Sequence, residues 1–262
     1  MTTINDLRSF KAEGRRFAML TAYDYPTARI LDEAGIPVLL VGDSLANVVL
    51  GHPTTLPVTM EEMLHHTRAV ARGATSALVV GDLPFLSYQA SQEDAIRNAG
   101  RFLKEAGAHA VKLEGAHPEL IERMVSAGIP VMGHLGLTPQ SVHAMGGYRV
   151  QARTEEAAER LLADAVQIEK AGVFSVVLEG VPSSVAKRVT ESVAVPTIGI
   201  GAGPHCDGQV LVLHDLLGLT FGKPAKFVKR YADVGEEISR AASAFKEEVE
   251  GGAYPAPEHS YD

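Results

Sequence analysis

Several strands of this chain end on a residue that a buried strand has no use for. AHAVKLEG (108–115) places Lys112 and Glu114 two residues apart, on the same side of a strand, where Val or Ile would pack at less cost. The pattern recurs: VLLVGDS ends in Asp43 and Ser44, ALVVGDLP carries Asp82, PVMGHLG carries His134, and FSVVLEG ends on Glu179. An ionised carboxylate buried without a partner costs several kcal/mol or takes up a proton. A shared location is the simplest explanation for so many polar strand ends.

The chemistry open to these residues follows from their types. Asp43, Asp82 and Glu114 offer oxygen ligands only, and three converging carboxylates raise one another's pKa unless a cation sits among them. An all-oxygen set suits Mg²⁺, which keeps several waters and takes up substrate at the remaining positions. The competing reading is that Asp43 and Asp82 only cap turns, Gly-Asp being a common turn pair. Lys112 has three possible roles: a structural ion pair, a Schiff-base nucleophile, or a fixed charge for a substrate carboxylate. Neighbouring carboxylates favour its ammonium form, which favours the charge role. His134, flanked by glycines, is either a satisfied core histidine or a functional one. Glu179 is either a fourth ligand or a general base.

Other motifs carry less. GIGAGP (199–204) fails the dinucleotide fingerprint, since Pro204 stands where the third glycine belongs, and its glycines are expected to line a ligand loop at the barrel rim. Cys206 lacks the basic surroundings of an activated thiol and reads as inert. His65, His66 and His143 show no partner pattern.

These strand ends need a scaffold that brings them together. Short continuous runs of Val, Ile and Leu alternate with longer amphipathic segments: FAMLTAYD, VLLVGD, ALVVGD, AHAVKLEG, PVMGHLG, FSVVLEG, PTIGIG and GQVLVLHD as strands, with helical segments such as 27–35, 59–73 and 91–107 between them. Strands that are apolar throughout rather than alternating indicate parallel strands covered on the outside. Eight βα units in this length predict a single α/β domain over 1–262, a (β/α)8 TIM barrel with an N-terminal helix. A doubly wound open sheet is the alternative. The seventh unit is irregular, because GAGPHCDG leaves little room for a helix. The tail GGAYPAPEHSYD (251–262) is expected to be mobile unless a neighbouring subunit holds it. In such barrels the C-terminal strand ends form the active face, which would unite Asp43, Asp82, Lys112, Glu114, His134 and Glu179 in one site.

Composition narrows the function classes. The chain has 262 residues, 46% of them apolar and 21% charged, with a net charge of −8. No basic run is dense enough to track phosphates, so nucleic acid is not an expected partner. No apolar stretch reaches membrane-span length, and MTTINDLRSFKAEGRR lacks the order of a signal peptide. One cysteine excludes an intrachain disulfide framework and fits a reducing compartment, with the cytoplasm as the expectation.

The ordered set VGDS, GDLPF, VKLEG, GHLGLTPQ, GGYRVQ, VLEGVP and IGIGAGPHCDGQVLVLHDLLG resembles the ketopantoate hydroxymethyltransferase family from the first strand to about residue 231. The resemblance implies a (β/α)8 barrel that binds Mg²⁺ and uses 5,10-methylenetetrahydrofolate to convert 3-methyl-2-oxobutanoate to 2-dehydropantoate through an enolate, on the route to pantothenate and coenzyme A. By position it makes Asp43, Asp82 and Glu114 the metal site. Asp43, Ser44, Asp82 and Lys112 become substrate contacts, Glu179 the catalytic base, and His134 an active-site hydrogen-bonding residue. It also implies a ring-based homo-oligomer, commonly a decamer. FGKPAKFVKR (221–230), the most basic stretch, is either a contact for the folate glutamate tail or a solvated loop. Two alternatives stand beside this reading. One is a Mg²⁺-dependent lyase or mutase of the phosphoenolpyruvate mutase and isocitrate lyase type, and the other a keto-acid or metal sensor without turnover.

Overall fold

Residues 1–261 are described by a computed structural model. Helix α1 (Ile4–Ala12) precedes strand β1 (Phe17–Thr21). Then follow α2 (Tyr25–Glu33), β2 (Val38–Val41), the short α3 (Leu45–Val48), α4 (Met60–Gly73), β3 (Leu78–Asp82) and α5 (Gln92–Lys104). Next come β4 (Ala110–Glu114), α6 (Pro118–Ser126), β5 (Val131–Gly136), α7 (Glu155–Lys170), β6 (Ser175–Glu179), α8 (Ser183–Ser192), β7 (Thr197–Ile200) and β8 (Gly208–Leu211). All neighbouring strands are parallel, and β8 returns to β1, so the sheet closes in the order β1 to β8. The closed sheet excludes the open doubly wound alternative. No helix separates β7 from β8, the irregularity expected of the seventh unit.

Helix starts follow local chemistry. Thr59 caps α4 through a reciprocal capping box with Glu62, and the Ser91 side chain accepts from the backbone N–H of Asp94 at the start of α5. Each cap satisfies donors that the first helical turn leaves without partners.

Strand periodicity divides the core in two. Leu39, Val41, Val79, Val111 and Leu113 face outward against the helices. Their neighbours Val38, Leu40, Leu78, Val80 and Ala110 face inward and fill the barrel with Met19, Met132, Phe174, Val177 and Ile198. Leu7 of α1 belongs to that inner cluster and is fully buried, with Ile4 and Phe10 packed beside it. Lys11 at the end of α1 donates to the carbonyls of Thr190 and Val195 at 2.9 and 3.1 Å and pairs with Asp207 at 3.1 Å. Helix α1 therefore plugs the end of the barrel where the strands begin.

The barrel closes within residues 1–212, and a second unit begins at Leu213. Taken by itself, this unit contains α9 (Leu213–Leu217) and the 17-residue α10 (Val234–Glu250), with a 3₁₀ turn at Pro257–His259. Of the tail, residue 262 lies outside the described residues. Within it, the Tyr254 ring packs edge-on against Phe245 with centroids 5.3 Å apart.

Candidate active site

The inward face of the strands is apolar near their starts and polar at their ends. Asp82, Glu114 and Glu179 are the last residues of β3, β4 and β6, and Asp43 and Ser44 follow β2 after Gly42. Register places Asp82 beside Lys112 and Glu114 beside His134. It also places Gly136 beside Glu179, and the Leu137 N–H donates to the Glu179 carbonyl at 2.8 Å. Gly136 has φ +93°, and a Cβ there would collide with that carbonyl oxygen, so only glycine lets β5 turn away this close to Glu179.

A chain of contacts crosses the site. Lys112 Nζ lies 2.9 Å from Asp82 Oδ1 and 3.2 Å from His134 Nδ1. An ammonium only donates, so Nδ1 accepts and the ring proton sits on Nε2. Nε2 is 3.2 Å from Glu179 Oε2, although its N–H is not aimed squarely at that oxygen. Glu114 Oε1 lies 3.6 Å from His134 Nδ1. Asp82 Oδ2 accepts from the Asp43 N–H at 3.2 Å, and Ser44 Oγ shares a hydrogen bond with Tyr23 Oη at 2.9 Å. Asp43, Asp82, Lys112, Glu114 and His134 are all buried, whereas the Glu179 side chain keeps 17% exposure and reaches toward the opening.

Burial shapes the electrostatics. It pushes the Asp82 carboxyl up to about 7, with the Lys112 ammonium opposing and the Asp43 charge adding. Glu114 rises well above the usual carboxylate range for the same reason, helped by Asp43. Burial alone would lower Lys112, but the charges of Asp82, Glu114 and Asp43 outweigh it and hold the ammonium. The ammonium is thus the favoured form of Lys112 in this setting. His134 is pushed down by burial and by Lys112 against the pull of Glu179, so its imidazole is neutral.

The structure thus brings together Asp43, Ser44, Asp82, Lys112, Glu114, His134 and Glu179. Two others are bonded to them, Gln140 and Tyr88. Gln140 Nε2 donates to Asp43 Oδ2 at 3.0 Å, and its backbone N–H donates to Glu114 Oε2 at 3.0 Å. Tyr88 Oη lies 2.9 Å from Gln140 Oε1 and 3.1 Å from both the N–H and the carbonyl of Glu114. Tyr148 is 54% exposed, and partial burial together with the charges of Asp43, Glu179 and Glu114 raises its phenol. Tyr148 stands directly after two glycines in GGYRVQ, a signal that a search for polar side chains in glycine-flanked loops would have found, whereas Gln140 and Tyr88 carry no such signal. Elsewhere, His66 Nδ1 lies 2.6 Å from the Tyr23 carbonyl, and Cys206 is buried with its thiol pushed up by burial, as an inert cysteine should be. The loop after β7 is tied down by Gln209 Nε2 donating to the Gly203 carbonyl at 2.9 Å.

The donor set fits a hard divalent cation. Three buried carboxylates, Asp43, Asp82 and Glu114, face one ammonium, Lys112, and burial with their mutual charge raises Asp82 and Glu114. Among the described residues no three His, Cys, Asp or Glu side chains form a ready-made metal cage. Lys112 is paired with Asp82, and Gln140 is bonded to both Asp43 and Glu114. A cation that keeps most of its waters does not need such a cage.

A family model for ketopantoate hydroxymethyltransferase matches residues 1–257. The chain is 58% identical to 3-methyl-2-oxobutanoate hydroxymethyltransferase of Syntrophus aciditrophicus over 99% of this chain and 96% of that one. It is 61% identical to the protein of the same name from Saccharopolyspora erythraea, over 98% and 88%. Among solved structures it resembles a phosphonopyruvate hydrolase complex with oxalate and Mg²⁺ (TM-score 0.63, 14% identity, 99% and 93% covered). It also resembles 2,3-dimethylmalate lyase of the PEP mutase/isocitrate lyase superfamily (TM-score 0.61, 16% identity, 100% and 92% covered). At such identities these two establish a shared barrel fold and nothing finer.

Proposed function

The chain belongs to the ketopantoate hydroxymethyltransferase family, and on that premise we propose how its barrel mouth transfers a hydroxymethyl group to C3 of 3-methyl-2-oxobutanoate. The observation that carries the reading is the buried line Asp82–Lys112–His134–Glu179, which ends in the one carboxylate of the group that reaches toward the opening. The residues that would hold a divalent cation, Mg²⁺ by the chemistry of the donors, are Asp43, Asp82 and Glu114. Such a cation would supply Lewis-acid polarisation of the 2-oxo acid, which makes the C3 proton more acidic.

The chain's own residues do the rest. Two of the three Lys112 N–H groups are taken by Asp82 and His134, and the third is left for the substrate carboxylate. Ser44, held by Tyr23, offers a hydroxyl beside Asp43. Glu179 takes the C3 proton as general base. His134 carries its proton on Nε2, next to Glu179, and so steadies that carboxylate instead of competing for the proton. The electron pair left on C3 attacks the methylene carbon of 5,10-methylenetetrahydrofolate and breaks a C–N bond. Water then displaces the second folate nitrogen from that carbon, so the remaining C–N bond breaks as the C–O bond forms; the proton from C3 and one from water end on the two folate nitrogens, giving 2-dehydropantoate and tetrahydrofolate. This product would feed pantothenate and coenzyme A synthesis.

A homo-oligomer belongs to the same proposal, and a decamer is the form that the family resemblance suggests. It is supported by α10, which buries no residue within the chain and shows Ile238, Phe245 and Val249 along one exposed face. Among the described residues no helix is long and apolar enough to cross a membrane. A cytoplasmic location, which the single cysteine of the chain fits, belongs to the same proposal.

The test is a mass-resolved assay of purified protein with 3-methyl-2-oxobutanoate and 5,10-methylenetetrahydrofolate, with and without Mg²⁺. Folate-dependent 2-dehydropantoate that disappears on chelation is the expected outcome. Product formed in excess chelator, or cleavage of a C4 acid with metal alone, would sink the mechanism. Sedimentation of the same preparation reads the oligomer, and a monomer at assay concentration would remove that part.

A further inference from the structure

Gln140 stands out among the residues that the mechanism leaves unused. It follows β5 in a 3₁₀ turn (Pro139–Ser141), is 4% exposed, and spends both polar atoms of its side chain on the loops after β2 and β3. Its two amide hydrogens go to Asp43 Oδ2 at 3.0 Å and to the Leu83 carbonyl at 2.9 Å. Its amide oxygen lies 2.9 Å from Tyr88 Oη and 3.1 Å from Gln89 Nε2. Its backbone N–H goes to Glu114 Oε2 at 3.0 Å. A primary amide has two donor hydrogens and two acceptor lone pairs, so this one is fully used and can adopt only one orientation. The loop that Tyr88 belongs to is itself fixed. Ser87 Oγ donates to the Pro84 carbonyl at 2.6 Å, Asn98 Nδ2 donates to the Ser87 carbonyl at 2.7 Å, and Leu86 is held at φ +63°.

We infer that Gln140 is a positioning residue, which locks Asp43 and Glu114 in the orientation in which they would take up the divalent cation, with Tyr88 fixing Gln140 in turn. Asp43 lies on the loop after β2 and Glu114 on the end of β4, with β3 between them, so no backbone register sets one against the other. Gln140 is bonded to both. Without it, two like-charged buried groups are free to swing apart, and the cation must then reorder them at a cost in affinity. The inference rests on the reading of Asp43 and Glu114 as cation ligands.

The test titrates the full chain with Mn²⁺, following the free ion by EPR in the absence of substrate, for wild type, Asp43→Asn, Gln140→Met and Tyr88→Phe. Met has nearly the volume of Gln and keeps the backbone N–H to Glu114, so only the side-chain bonds are lost. Partners that orient metal ligands are typically worth ten- to a hundredfold in affinity. Mn²⁺ dissociation should therefore rise about ten- to a hundredfold in Gln140→Met. In turnover, kcat should recover at saturating Mg²⁺. Tyr88→Phe should move the same way by a smaller factor. Binding lost in Asp43→Asn but unchanged in Gln140→Met would overturn the inference alone, as would a Gln140→Met protein that loses kcat and thermal stability while holding Mn²⁺ like wild type. If Gln140→Met does not fold, Tyr88→Phe decides, and wild-type Mn²⁺ affinity there overturns the inference. A wild-type protein that binds no Mn²⁺ would overturn the cation reading and the inference with it.

Discussion

The two halves of the barrel interior are built by the same strands and serve opposite ends. Along β3 the inward side chains run Leu78, Val80, Asp82, and along β4 they run Ala110, Lys112, Glu114. The lower residues of each series pack against one another and against Leu7 of the plugging helix, and they need nothing from solvent or ligand. The upper residues are buried almost as deeply, yet they are charged and mutually compensated only in part. One period-two pattern therefore supplies stability at one end and stored electrostatic tension at the other. The difference teaches that burial is not itself the marker of function here. What marks the upper layer is burial of charge without enough opposite charge.

If the halves divide the work in this way, substitutions should separate rate from stability. The largest effect is expected at Glu179→Gln, which keeps size and an acceptor oxygen but cannot take a proton. Exchange of the C3 proton of 3-methyl-2-oxobutanoate with D₂O, followed by NMR with Mg²⁺ present and folate absent, should slow by at least about a hundredfold. Thermal stability should barely change. If excess Mg²⁺ rescued the exchange, Glu179 would be a ligand and not the base. Leu7→Ala in the lower half should do the reverse, costing about 2–5 kcal/mol in urea unfolding while kcat stays at the wild-type value. A kcat loss in that variant would break the comparison.

Lys112→Ala should weaken keto-acid binding by roughly one to two decades, the worth of a charge-assisted contact of about 1.5 to 3 kcal/mol. Calorimetry reads this directly, and normal binding would return Lys112 to a purely structural ion pair with Asp82. Borohydride treatment with the keto acid should trap no adduct at this lysine.

The smallest effect concerns pH. The Asp82 carboxyl is raised in the folded state to about 7 from an ordinary value of 3.8. Between those values the folded metal-free protein holds a proton that the unfolded chain has lost. The stability this group contributes is therefore full below the unfolded value and is lost as pH rises through about 7. A cation must displace the same proton. Its affinity should fall as pH drops below about 7, by at most about tenfold per pH unit for one displaced proton. Affinity flat across that range would show that the upper carboxylates are not the ligands.

Much of this was legible before any coordinates. Continuous apolar runs ending in Asp, Glu or His pointed to parallel strands with a common polar end, and the (β/α)8 closure and helix-free seventh unit agree with it. Lys112 and Glu114 share a face by spacing alone. Gln140 and Tyr88 were not legible as site residues, because each acts across loops that are far apart in the chain: Gln140 meets Asp43 across 97 positions and Tyr88 across 52. Their sequence neighbours carry no periodic signal that would set them apart from ordinary loop residues.

Strand identity, the facing of each strand residue and the chemical character of the site follow from local rules, since period two and side-chain type are properties of a few adjacent residues. The pairing within the site does not. That Lys112 lies between Asp82 and His134, that the imidazole proton therefore sits beside Glu179, and that Gln140 holds Asp43 and Glu114 depend on strand register and loop closure. Those distances are set by how eight strands close on one another, and only the assembled barrel decides them.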